Sequence, residues 1–128
     1  MSLGAYLEPN ITKTAGGTIQ LAADEAGSLI IAAGASATSF RLPPITSPDQ
    51  DFRFTFLNTV DQNMAILPPS TKGYDNASLT LGTLNNAAAA SVTYSTSSQK
   101  IGAVASARSI AGKWWVVNNT DAAAATVA

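Results

Sequence analysis

The sequence predicts an all-β, single-domain protein, a β-sandwich or jelly roll with an extended amino-terminal arm. Three observations carry this. Short segments alternate apolar and polar residues along most of the chain, which is the period of a half-buried strand. Gly, Pro, Asn or Asp interrupts them at intervals of roughly 8–12 residues, the spacing of a sandwich or barrel. Helical propensity is confined to Leu84–Ala90, through its consecutive alanines, and a helix that short is not stable alone. That segment is expected to be a loop with at most one turn.

Residues 1–15 read as the arm, because Pro9 cannot donate to a ladder and Gly4 and Asn10 interrupt any regular pattern. Residues 16–120 are the expected sandwich domain, and residues 121–128, small and unpatterned, a flexible tail. Within the domain, Thr18–Leu21 alternates and should bury Ile19 and Leu21. After the turn Asp24–Gly27, the apolar run Ser28–Ala33 should place Leu29 and Ile31 inside. Thr38–Leu42 is a strand stopped by Pro43-Pro44. The clearest alternation is Asp51–Leu57, where Phe52, Phe54 and Phe56 share one face and Arg53 and Thr55 the other. Met64–Leu67 contributes Ile66 and stops at Pro68-Pro69, and Ser78–Leu81 contributes Leu79 and Leu81. Ser91–Tyr94, Ile101–Ala105 and Lys113–Val117 complete the set, the last supplying Trp114 and Val116 to the core.

The apolar fraction of 46% is inflated by Ala, and large side chains are few, so a thin core completed by association is expected. Charged residues make up 12% of the chain and the net charge is −1, which gives no basic field for nucleic acid. No stretch approaches the roughly 20 apolar residues of a membrane span. Met1-Ser2-Leu3-Gly4 lacks the basic and apolar regions of a secretory signal, so a soluble protein without a membrane partner is expected, made in the cytosol or else exported by a route the sequence does not show.

With no His and no Cys, the commonest general base, the thiol nucleophile and most transition-metal ligands are missing. Asp24, Glu25, Asp49, Asp51, Asp61 and Asp75 fall in predicted turns, where Asp bonds its own backbone. Asp49-x-Asp51 lacks the further oxygen ligands and the Gly of a calcium loop, and no phosphate-cradling Gly-rich motif is present. No catalytic residue, metal site or cofactor is expected.

Trp114 and Trp115 are neighbours on a strand and must face opposite ways. Trp114 shares its face with Val116 and is assigned to the core, leaving Trp115 and Val117 at an edge or subunit contact. For Trp115, a subunit interface, ordinary partial burial and stacking on a sugar all remain open. Tyr6, Leu7 and Ile11 are the arm residues expected at a protein interface.

In order, Gly17-Thr18-Ile19-Gln20-Leu21, Asp24-x-x-Gly27-Ser28-Leu29-Ile30, Arg41-Leu42-Pro43, Phe52–Phe56, Met64–Pro68 and Gly112–Val117 resemble the small β modules of tailed-phage virion proteins, over about residues 16–118. These modules are capsid decoration (cement) proteins and head- or tail-fibre domains. The resemblance implies a homotrimer on the outer capsid surface of the virion, made in the host cytoplasm. Its arm would reach onto the major capsid protein, and its expected function is to bind and stabilise the assembled head. No long repetitive shaft accompanies the module, which favours the decoration version. The alternative is a receptor- or glycan-binding module of a tail or fibre, with Trp115, Tyr74 and Tyr94 as the stacking aromatics.

Overall fold

The computed structural model describes residues 9–71, 80–83, 86–95, 100–118 and 125–127. Their strands are β1 (Asn10–Lys13), β2 (Gly17–Gln20), β3 (Ser28–Ala32), β4 (Thr38–Arg41), β5 (Arg53–Asn58) and β6 (Met64–Leu67), then β7 (Leu81–Thr83), β8 (Asn86–Ala89), β9 (Val92–Tyr94), β10 (Val104–Ile110), β11 (Lys113–Asn118) and β12 (Ala125–Val127). They build an all-β sandwich. Its large sheet has the order β1-β3-β5-β10-β11-β7-β8, and its small sheet the order β12-β9-β6-β4-β2.

The first half of the chain is a parallel coil. β1, β3 and β5 lie side by side and parallel in the large sheet, while β2, β4 and β6 do the same in the small one. The chain therefore crosses between sheets at every step, as in a β-solenoid. Local chemistry makes the crossings. Between β2 and β3, the Ala22 N–H donates to Glu25 Oε1 at 2.9 Å, Lys13 reaches Glu25 Oε2 at 2.7 Å, and Gly27 adopts φ +86. Burial pushes the Glu25 carboxyl up, but the Lys13 ammonium and the Ala22 N–H more than reverse this and hold it below its ordinary range. After β4 and β6, Pro43-Pro44 and Pro68-Pro69 end the ladders. The second half adds mostly antiparallel pairs, with β10 between β5 and β11, β9 between β6 and β12, and β8 against β7, while β7 lies parallel to β11. A jelly roll is built from antiparallel strands, so the sandwich is the architecture that describes this mixed topology.

The core lies between the sheets, where Phe40 of β4 stacks on Phe56 of β5 at 5.5 Å. Alanine serves in it as a spacer between larger side chains. β10 points Ala105 and Ala107 inward, opposite Phe56 and Phe54 of β5. β5 and β11 are each one strand away from β10, so their backbones are roughly 10 Å apart. Yet the Phe54 and Trp114 rings approach to 5.8 Å, leaning together over the small residues of β10. Trp114 is fully buried and its indole N–H donates to the Pro43 carbonyl at 2.9 Å, tying β11 to the proline crossing.

Leu21, Phe54, Phe56, Ile66, Leu81, Trp114 and Val116 are buried as expected, and Ile19 and Phe52 pack half-buried against them. Leu29 and Ile31 are a correction: Ile30 and Ala32 fill the core instead, and Leu29 and Ile31 face outward, half-covered. An unbroken apolar run carries no parity of its own, and pairing with β5, which sets Ile30 beside Phe56, decides it. Four segment boundaries also change. Residues 10–13 of the expected arm are a sheet strand, and residues 125–127 of the expected tail pair with β9. The alanine segment expected as a loop supplies β8. The strand expected from Ile101 begins at Val104, because Gly102 turns the chain at φ +81. Tyr6, Leu7, Tyr74 and Leu79 lie outside the described residues.

Candidate functional site

The alternation that fills the core leaves a second face on the large sheet. In register across β3, β5, β10 and β11, its outward residues form rows. Arg53, Arg108 and Trp115 make the first row. Leu29, Thr55, Ser106 and Val117 make the second, and Ile31, Leu57 and Val104 the third. A face of this size with so many aliphatic side chains is not what a solvated sheet normally shows.

Trp115 is its most distinctive member, 41% exposed, with Val117 at 50%. The Trp115 ring lies against β7 directly over Gly82, where a Cβ would come within 2.5–2.8 Å of ring atoms. Glycine is what lets the ring lie flat on the sheet. Lys113 Nζ sits 5.5 Å from the ring centroid, a cation–π contact at a partly exposed site.

Beside Trp115, Arg53 and Arg108 stand opposite each other on β5 and β10, an arrangement of like charges that costs stability. Asp51 bridges them: Arg53 donates from Nη2 at 3.2 Å and from Nε at 3.4 Å, and Arg108 from Nε at 3.3 Å. Hydrogen bonding from Arg53, joined by the charge of Arg108, holds the Asp51 carboxyl below its ordinary range. Next to the pair is a shallow, open depression of about 430 Å³ bordered by Gly27, Arg53, Thr55, Ser106 and Arg108.

Of the expected interface residues, the structure brings Trp115 and Val117 together on this face. Ile11 does not join them, since it packs half-buried against the core. Tyr94 is a correction to the set of stacking aromatics. It is fully buried, its hydroxyl donates to Asn118 Oδ1 at 2.9 Å, and burial pushes the phenol up to about 12. The arginine pair escaped sequence reasoning. Arg53 was placed on the outer face by the Phe alternation, but Arg108 is 57 positions from Asp51 and meets it only through the β5–β10 pairing.

Among the described residues, no three of Asp, Glu, His or Cys gather where they could hold a metal ion, and no helix is long and apolar enough to cross a membrane. What this face can do chemically is bind: it offers aliphatic area, one flat indole and a guanidinium pair sharing a single carboxylate. No family model matches the chain and no curated protein matches it.

Proposed function

We propose that this protein is a structural subunit of a virus particle, a decoration subunit that binds the assembled phage head and stabilises it. The observation that carries this reading is the outer face of the large sheet, where Trp115 and Val117 are exposed beside the half-covered aliphatic side chains of Leu29, Leu57 and Val104. Stabilisation follows by mass action, because a ligand whose site exists only on the closed, expanded lattice raises the cost of opening it. A trimer engaging three sites together turns modest contacts into high avidity.

The test is to mix purified protein with expanded and unexpanded heads that lack it. Co-sedimentation with expanded heads alone, a raised melting temperature of the shell and a trimeric mass by light scattering are expected. A monomer without affinity for expanded heads overturns the proposal. A second reading, a glycan-binding module, draws on the flat Trp115 ring beside Arg108, and a glycan array separates it from the first.

A further inference from the structure

Resting on the reading of this face as a protein-binding surface, the geometry points to the partner's chemistry. We propose that the depression beside Arg53 and Arg108 is a socket for an acidic side chain, Asp or Glu, carried on an otherwise apolar segment of the partner protein.

The socket follows from the rows. The pair Thr55 and Ser106 is flanked along the strands by Arg53 and Arg108 at one end and by Leu57 and Val104 at the other. Across the strands it is flanked by Leu29 and Val117. Small hydroxyl residues thus form a low floor between a charged end and aliphatic walls. A carboxylate can lie against the guanidinium end while neighbouring apolar side chains cover Leu57, Val117 and Trp115.

Charge complementarity selects the occupant. Among the described residues, Arg53, Arg108 and Lys113 stand on this face against the carboxylate of Asp51, a local excess of cations on a chain whose net charge is −1. Asp51 meets Arg108 through Nε alone, so the two terminal amino groups of that fork lie outside the contact. A second carboxylate would balance the opposed guanidinium groups and add charge-assisted hydrogen bonds. The aliphatic walls favour a protein segment over an acidic sugar, whose many hydroxyls would need polar partners that Leu29, Leu57, Val104 and Val117 do not offer.

The test uses the full chain, with binding read by Trp fluorescence and by amide shifts at Thr55 and Ser106. Three probes are compared: an acetylated peptide bearing Glu between Leu residues, its Lys-for-Glu counterpart, and an oligogalacturonate. The Glu peptide is expected to bind in a salt-sensitive way, the Lys peptide not at all. R53E/R108E, altered only at exposed positions, should bind the Glu peptide roughly ten-fold more weakly or worse and accept the Lys peptide instead. Three outcomes overturn the proposal: Glu-peptide binding unchanged in R53E/R108E, no response from Thr55 and Ser106, or a response to oligogalacturonate alone. Head sedimentation keeps this separate from the decoration reading. Wild type and R53E/R108E binding heads equally would sink the socket and leave decoration standing. Wild type failing to bind heads would sink decoration, with the peptide comparison still deciding the socket.

Discussion

The two sheets share one core, but their outer faces spend their polar groups differently. On the small sheet, Gln20 Nε2 donates to the carbonyls of Leu21, Arg41 and Leu42, and Arg41 Nη1 donates to Pro68. Those side chains tie off strand ends and so serve the fold. On the large sheet, Arg53 and Arg108 contact Asp51, which carries both of them, and Trp115 lies beside them with its ring exposed. A face whose polar groups bond its own backbone serves the fold, whereas opposed cations and an exposed indole are what the proposed binding face would offer a partner. What a surface residue bonds to separates scaffold from site better than polarity does.

The sharpest way to break this distinction is to exchange the inner and outer residues of one strand. Ile30→Ala should destabilise the protein by about 2–5 kcal/mol, since it empties part of a closed core, while Ile31→Ala costs well under half as much. Likewise Ala107→Leu should cost about 1–3 kcal/mol by forcing Phe54 and Trp114 apart, and Ser106→Leu next to it should leave stability nearly unchanged while blocking the docking face. Urea unfolding of the four variants checks both pairs. A larger cost for Ile31 than for Ile30 would mean that β3 has the opposite parity.

That parity marks where the sequence was legible and where it was not. The strand at Asp51–Leu57 announces itself, because large and polar residues alternate and each side chain has only one sensible face. On Lys113–Val117 both faces carry a Trp and a Val, and only Lys113, which shares its face with Trp115 and Val117, separates the outer face from the inner one. Ser28–Ala33 is apolar throughout, so its inward set comes from the neighbour it pairs with. The parallel coil was hidden for a related reason. Its large-sheet strands begin at residues 10, 28 and 53, unequal steps that leave no repeat to detect, and the pairing of β1, β3 and β5 is non-local. On β10 the usual expectation even inverts, since Ala105 and Ala107 face in and Val104 and Ile110 face out. Small residues are what the flanking rings require. The socket inherits that difficulty, because Arg108 can be placed beside Arg53 only once β10 is paired with β5.

A smaller effect is expected where the outer face touches its own scaffold. Gly82→Ala would drive a methyl group into the Trp115 ring, and the ring, being exposed, can lift rather than break the sheet. About 1 kcal/mol of stability should be lost, with Trp fluorescence shifting toward the solvent-exposed range. Tyr94→Phe, on the inner face, should cost about 1 kcal/mol by removing the hydrogen bond from the Tyr94 hydroxyl to Asn118 Oδ1, and should not alter binding. Alkaline titration sharpens this. Burial raises the Tyr94 phenol from 10.0 to about 12, so the stability it contributes is fully present below pH 10 and is lost as pH rises through 12. Tyr94→Phe should remove that alkaline step from the unfolding profile.

The smallest expected effect is a gain. Thr83 lies on the inner face of β7, between Val116 and Asn86, and its buried hydroxyl has no hydrogen-bond partner. A hydroxyl there suits neither side of the comparison: it satisfies no backbone group, and no partner protein can reach it. Its β-branched shape fits the strand, but the oxygen gives up its water for nothing. Thr83→Val keeps the branching and removes the desolvation cost, which should raise stability by about 1 kcal/mol and the melting temperature by a few degrees. Head binding and Glu-peptide binding should not change, because the substitution touches only the core that both faces share. A loss of stability would instead mean that the hydroxyl is bonded in solution, and would move Thr83 from an unsatisfied core residue to a structural one.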